Sequence, residues 1–220
     1  MPVNPIDFSL YLITDRKLFS SWDNLMMAVE EGLSAGVKAV QLREKDLSTR
    51  ELLNLAYAFR ELTSSFNAKL FINDRLDVAM SVDADGVHLG QSGIPANAVR
   101  KVLGDKMLIG CSTHSFAEAS EAEKFGADFI TFGPLFKTPS KLQYGEPVGL
   151  EALREVSKRI KIPIFGIGGI KTEEIDEVIS AGASGIAVIS GVLCGEDKAV
   201  GARQYLKRIS VKVGENYDKD

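Results

Sequence analysis

Cysteine is scarce in this sequence: Cys111 and Cys194 are the only two in 220 residues, and they lie far apart. That excludes a disulfide framework and the paired spacing of a zinc site, and it points to a reduced, cytoplasmic setting. Long apolar runs are missing as well. The longest are strand-sized, far short of the roughly 20 residues a membrane helix needs, and Met1–Leu10 holds Pro2, Pro5 and Asp7 with no apolar stretch of a secretory signal. No block of like charge occurs. The 26 basic and 30 acidic residues are scattered and leave a formal charge of −4, so neither a nucleic-acid nor a membrane partner is expected. No linker, low-complexity segment or composition shift divides the chain.

What is present is material for one folded core: 45% of residues are hydrophobic and 25% charged. The length fits one compact domain near the lower size at which an eight-fold β/α barrel closes. Short β-branched runs alternate with longer helical patterns. Strands are expected at Leu10–Thr14, Ala39–Arg43, Leu70–Asn73, Gly86–Leu89, Leu108–Ser112, Phe129–Phe132, Ile164–Gly166 and Gly185–Ile189, several of them continuous apolar runs of the kind found in a parallel sheet. The stretch after each can hold a helix, a very short one after the third. Ser48 with Glu51 and Ser115 with Glu118 have capping-box spacing, Pro95 suits a first helical turn, and Thr172 precedes Glu173 and Glu174 at a helix start. Leu52, Leu55, Ala56, Phe59 and Leu62 repeat at helical spacing and should face the sheet. Gly36, Gly126 and Gly182 each stand where a helix ends and the chain turns into a strand. An open doubly wound sheet is the rival fold, but it usually has five or six strands. The count of eight predicts an α/β protein with a single-domain (β/α)8 TIM barrel over residues 1–220, the barrel itself at about 9–210 and a short polar tail after it.

In such a barrel chemistry belongs where strands end. Alternation after the second strand sends Gln41, Arg43 and Lys45 to one side, an amide and two cations suited to a diphosphate, although a solvated loop paired with Glu44 and Asp46 would read the same. Asn73 and Asp74 end the third strand and could offer a hydrogen bond and a hard oxygen for Mg2+, or simply an Asx turn. His88 could serve as an acid or base, but a single strand-end histidine is more often structural. Ser112 could make a polar substrate contact, and His114 could orient its loop. After the sixth strand, Thr138, Ser140 and Lys141 lie on one long excursion that suits a phosphate clamp or lid, or an ordinary surface loop. Glycine-rich turns at Gly168-Gly169 and at Ile189-Ser190-Gly191, each leading toward a helix N-terminus, form the recurrent barrel phosphate cradle. Together these describe one cationic diphosphate region and one separate phosphate cradle. They suit the joining of two phosphorylated molecules with loss of pyrophosphate, and equally simpler chemistry on one phosphorylated ligand.

Tyr11-Leu12-Ile13-Thr14-Asp15, Gln41-Leu42-Arg43-Glu44-Lys45, Ile72-Asn73-Asp74, Gly86-Val87-His88-Leu89-Gly90-Gln91, Ser112-Thr113-His114, Gly133-Pro134 with Lys141, Gly168-Gly169-Ile170 and Ile189-Ser190 resemble the thiamine phosphate synthase superfamily, which also holds the TenI-type proteins. The resemblance spans about residues 10 to 205. It implies a transferase that couples hydroxymethylpyrimidine diphosphate to a thiazole phosphate. Gln41, Arg43, Lys45, Asn73, Ser112 and Lys141 would hold the pyrimidine diphosphate, with Arg43, Lys45 and Lys141 as candidate catalytic residues. Asp74 would meet Mg2+, and Thr138, Ser140, Gly169, Ile189 and Ser190 would hold the thiazole phosphate. Phosphorylated heterocycles are then the expected partners, while monomer and homo-oligomer both stay open. The sequence departs from the synthase pattern at Gly93, where a second metal carboxylate is usual, and mildly at Ser140, where threonine is usual. The alternatives are a TenI-type thiazole tautomerase, whose motif can carry a histidine where Pro134 stands, and a regulatory relative without turnover.

Overall fold

The computed structural model describes residues 6–137 and 146–217, with 212–217 described by backbone alone. Eight parallel strands close on themselves in sequence order: β1 (Leu10–Ile13), β2 (Ala39–Leu42), β3 (Lys69–Asn73), β4 (Gly86–Leu89), β5 (Leu108–Thr113), β6 (Phe129–Phe132), β7 (Ile164–Ile167) and β8 (Gly185–Val188). Closure is direct, because Leu10 of β1 sits in register with Ile186 of β8, as Tyr11 does with Ala39 of β2. The expected strands are all present, with ends within a residue of those read from the sequence. Helices alternate with them: α1 (Trp22–Ser34), α2 (Thr49–Ser65), α3 (Leu76–Ser81), α4 (Ala96–Leu103), α5 (Phe116–Lys124), α6 (Gly149–Ser157), α7 (Ile175–Ser180), α8 (Ser190–Leu193) and α9 (Lys198–Tyr217). Among the described residues no helix is long and apolar enough to cross a membrane.

Strand alternation divides the apolar residues between two cores. Outward side chains such as Leu12, Val40, Leu70, Ile72 and Ile130 pack with the inner faces of the helices, where Leu52, Ala56 and Phe59 of α2 are buried and Leu55 and Leu62 flank them. Inward side chains make a second, aromatic core from Tyr11, Phe71, Phe129 and Phe165. Phe8, on the segment before β1, closes its floor with ring centroids 5.1 to 5.8 Å from those four rings. Rings this large fit only because their neighbours are small. A Cβ at Gly86 would lie 2.5 Å from Phe71, one at Gly110 2.5 Å from Phe129, and one at Gly185 2.6 Å from Phe165. The barrel is thereby filled from below, and ligand chemistry is left to its upper end.

Side chains set the entry to the even strands. Asp85, just before β4, accepts from Arg60 and from the Leu70 amide, and Asp128, just before β6, accepts from Arg100 and from the Ile109 amide. Ser184 takes the Ile164 amide in the same way before β8. Several helix ends turn through left-handed residues before the next strand. Gly126 and Gly182 do so as expected, and Asn67 and Asp83 (φ 53° and 50°) perform the same turn where no glycine marks it.

Ser48 and Glu51 form the complete capping box at α2. At α5 Ser115 takes the Glu118 amide, but the Glu118 carboxylate turns to the His114 amide instead of closing the box. Pro95 is the cap before α4, one residue earlier than a first-turn position. Thr172–Glu174 forms a separate 3-10 turn ahead of α7, where Glu174 accepts the Lys171 amide.

Candidate active site

The upper barrel is polar where the floor is aromatic. Gln41, from the end of β2, is buried and donates from Nε2 to Tyr11 Oη at 3.1 Å. That hydroxyl lies 3.4 Å from His88 Nδ1, and His88 Nε2 lies 3.1 Å from Ser112 Oγ on β5. Burial holds the His88 ring down to a pKa of about 3, with Asp74 opposing and Arg43 and Lys45 adding to the shift. His88 is therefore neutral at physiological pH, a structural member of the site. Lys45 and Asp74 stand together at one corner of this end of the barrel, with Nζ 3.7 Å from Oδ2.

Asp74 is the centre of that corner. It follows β3 in a left-handed backbone conformation (φ 56°), which aspartate adopts more readily than most side chains. Its amide donates to His88 O at 2.9 Å, Gly90 N donates to Oδ1 at 2.7 Å, Asn73 Nδ2 donates to Oδ2 at 2.8 Å, and Lys45 Nζ stands 3.7 Å from Oδ2. The loop after β4 folds back so that Gly93 N reaches Gly90 O at 3.0 Å, and a Cβ on Gly93 would lie 2.9 Å from Asp74 Oδ1. Gly93 thus stands beside the carboxylate. No cluster of three or more metal-ligating side chains occurs among the described residues.

Gln41, Arg43 and Lys45, expected on one side by strand alternation, are not one continuous strand row. Strand β2 ends at Leu42, so Gln41 points into the closed barrel while Lys45 lies beyond the strand, half exposed against Asp74. Glu44, read from the sequence as a loop charge, is buried. Its carboxylate accepts Thr14 Oγ1 at 2.7 Å and the Arg16 amide at 3.1 Å, while Thr14 Oγ1 accepts the Arg43 amide at 2.9 Å. This link anchors the β1 loop under Arg43. Burial pushes the Glu44 carboxyl above its ordinary range against the hydrogen bonds from Thr14 and Arg16. The Asp46 carboxylate keeps the outward salt bridge, to Arg16 at 2.7 Å. Arg16 also stacks 5.4 Å from the Trp22 ring centre.

On the opposite side, Gly168 and Gly169 follow β7 with φ of 95° and 69°, a run only glycine adopts without strain. A Cβ on Gly169 would lie 2.9 Å from Phe136 Cβ and 3.0 Å from Lys137 O, so the turn is pressed against the loop after β6. Ile189 and Ser190 follow β8, with Ser190 exposed as the first residue of the four-residue α8. The amides of Gly169 and Ser190 have no main-chain acceptor among the described residues. The turn after β7 runs into the 3-10 segment and not straight into a helix, so of the two helix N-termini expected here only the short α8 follows its turn directly. Thr138, Ser140 and Lys141 lie outside the described residues.

Known proteins resemble this chain over most of its length. The family model described as thiamine monophosphate synthase matches residues 10–192. A protein of Geobacter sulfurreducens is 52% identical over 201 residues, covering 91% of this chain and 94% of its own. The thiamine-phosphate synthase of Clostridium novyi is 45% identical over 192 residues, covering 87% and 94%. Among solved structures, the thiamine phosphate pyrophosphorylase of Pyrococcus furiosus superposes with a TM-score of 0.85 at 38% identity, covering 94% of this chain and 98% of that one. A 3-hexulose-6-phosphate synthase at 18% identity and a TM-score of 0.72 shares the fold alone. With a family match across most of its length, and with relatives this similar over nearly their whole chains, the protein belongs to the thiamine monophosphate synthase family.

Proposed function

We propose that the protein is a transferase of thiamine biosynthesis that joins hydroxymethylpyrimidine diphosphate to thiazole phosphate, releasing thiamine phosphate and pyrophosphate. The observation that carries this reading is the pairing of two anion sites across one barrel mouth. Lys45 stands 3.7 Å from Asp74 after β2 and β3, with Arg43 two residues before it in the chain, and after β7 and β8 lie the amides of Gly169 and Ser190, which have no main-chain acceptor among the described residues. The C–O bond between the pyrimidine methylene carbon and the diphosphate breaks, and pyrophosphate leaves with the electron pair. The ring amino group spreads the positive charge left on the methylene, and the thiazole nitrogen lone pair forms the new C–N bond. Such a reaction needs charge stabilisation on the leaving group and exclusion of water more than it needs a strong base. His88, neutral and enclosed, is in keeping with that requirement.

Arg43 and Lys45 stabilise the departing diphosphate, joined by Lys141. Gln41, Asn73 and Ser112 meet the rest of the pyrimidine substrate, while Thr138, Ser140, Gly169, Ile189 and Ser190 hold the thiazole phosphate. The Asp74 carboxylate suits Mg2+, which takes one or two carboxylates together with substrate phosphates and retained waters. Its two oxygens accept one short hydrogen bond each and keep lone pairs for a cation. Mg2+ there would neutralise charge on the diphosphate. The test is to mix the protein with both phosphorylated heterocycles and Mg2+ and to follow thiamine phosphate. Formation at enzyme-like rates supports the synthase. Interconversion of thiazole isomers without coupling would support the tautomerase, and binding without turnover the regulatory relative.

A further inference from the structure

Four polar side chains form one line inside the barrel, from β2 through β1 and β4 to β5. Gln41 Nε2, Tyr11 Oη, His88 Nδ1, His88 Nε2 and Ser112 Oγ follow one another at contacts of 3.1, 3.4 and 3.1 Å. Gln41, Tyr11 and His88 are no more than 2% exposed, and among the described residues neither the Tyr11 hydroxyl nor the His88 ring has a hydrogen-bond partner outside the line. A hydroxyl has one proton and a neutral imidazole has one N–H. Every contact in the line is therefore satisfied, with the Tyr11 proton also used, in only two ways. In the first, Gln41 donates to Tyr11, Tyr11 donates to Nδ1, and Nε2–H donates to Ser112. The ends then present the Gln41 Oε1 acceptor and the Ser112 hydroxyl proton. In the second, the amide makes a half-turn and every donor and acceptor is exchanged. Other arrangements set two donors or two acceptors face to face, or let the Tyr11 oxygen accept from both Gln41 and His88 and leave the Tyr11 proton without an acceptor; inside a buried site an unmade hydrogen bond is costly.

We infer that Tyr11 and His88 are positioning residues that couple Gln41 to Ser112, so that the site reads a pyrimidine by a linked acceptor and donor instead of by two independent contacts. This rests on the reading that the site takes a pyrimidine diphosphate. An aminopyrimidine matches the first polarity: its amino hydrogens meet Gln41 Oε1, and an unprotonated ring nitrogen meets the Ser112 hydroxyl. Its oxo counterpart, with a carbonyl and a ring N–H, offers the reverse set. The amide orientation toward Tyr11, with Nε2 as donor, is the first polarity. Selectivity for the amino ring is thus held by two side chains that need not touch it.

The chain has only two histidines, His88 and His114, so the tautomer can be read directly by 15N-histidine NMR on the ligand-free full chain, with the exposed His114 as internal reference. The expected result is a single His88 tautomer protonated at Nε2. Tyr11→Phe removes the donor to Nδ1 and should leave a mixture of tautomers. Binding of hydroxymethylpyrimidine diphosphate and of its 4-oxo counterpart is then titrated. The native protein should favour the amino ring by at least about thirtyfold, roughly 2 kcal/mol, and Tyr11→Phe should bring that ratio below about fivefold. Ser112→Ala is the second variant: it should keep the Nε2–H tautomer, held from the Gln41 side, and still lose the selectivity. A native His88 protonated at Nδ1 or mixed would overturn the coupling, as would a Tyr11→Phe protein that keeps both tautomer and selectivity. If neither pyrimidine binds while the tautomer responds to Tyr11→Phe as expected, the coupling stands and the substrate reading falls.

Discussion

Gly93 offers the sharpest test of the metal corner. A Cβ there would lie 2.9 Å from Asp74 Oδ1 and 3.2 Å from Gly90 O, and the backbone at Gly93 is outside the left-handed region. Gly93→Asp therefore meets no backbone strain. It asks the Asp74 carboxylate to give way by a few tenths of an ångström, and it sets a second carboxylate beside the first. Two like charges about 4 Å apart repel by roughly 4 kcal/mol at an effective dielectric of 20. Solvent at this partly exposed corner reduces that to about 1–2 kcal/mol. Without metal the variant should melt a few degrees lower, since about 1 kcal/mol shifts a protein of this size by roughly 2–4 °C. Mg2+ reverses the sign, because the repelling pair becomes two hard ligands. The half-saturating Mg2+ concentration should fall about tenfold, near 1.4 kcal/mol. The assay is initial coupling rate against Mg2+ concentration, beside thermal melts with and without Mg2+. Asp74→Ala should raise the requirement or abolish activity. A Gly93→Asp protein that folds normally with an unchanged Mg2+ dependence would refute the placement of the metal at Asp74.

Other consequences are tested separately. The His88 pKa of about 3 lies below its ordinary 6.5, so the unfolded chain binds a proton that the folded protein refuses. Its contribution to stability is whole above pH 6.5 and is lost as pH falls toward 3, by up to about 1.4 kcal/mol per pH unit. His88→Gln should flatten that slope in urea melts at pH 4 and 7, and equal slopes would contradict it. Gly169→Val puts a branched side chain into a turn with φ 69° and against Phe136 and Lys137; it should weaken thiazole phosphate far more than the diphosphate in separate titrations, whereas equal losses would indicate misfolding. Lys141→Ala should cut turnover at least tenfold, about 1.4 kcal/mol, and an unchanged rate would remove it from the site. Arg43→Lys should also slow coupling, because a point charge does not replace the guanidinium fork; full activity would return Arg43 to an ordinary loop.

The barrel was legible because its signals are local. Each strand is a short apolar run between turn residues, and glycines at 36, 126 and 182 mark the helix exits. The equivalent turns at Asn67 and Asp83 were less legible, because those residues serve many loops and only their φ reveals the role. Within the site, strand ends gave the positions of Gln41, Asn73, Asp74 and Ser112, since alternation and the barrel rule both act at short range. What escaped was decided by contacts between distant strands. Glu44 read as a loop charge, yet Thr14 and the Arg16 amide, some thirty positions earlier, draw it inside. Tyr11 entered only as part of the first strand and its motif, with no role of its own. Its hydroxyl gains meaning only when β1 is seen between Gln41 and His88. A signal was available in both cases, a lone polar group within an apolar or loop motif, but its partner could not be named without the closed barrel.

In the proposed reaction one barrel mouth holds a diphosphate and a second phosphate, and the first departs as the second molecule bonds. The most direct measurement is the stoichiometry of pyrophosphate release from hydroxymethylpyrimidine diphosphate with Mg2+, in the presence and absence of thiazole phosphate. One pyrophosphate should appear for each thiamine phosphate formed, with release falling to a trace when thiazole phosphate is left out. Steady pyrophosphate release without the thiazole, or no release with both substrates bound, would contradict it.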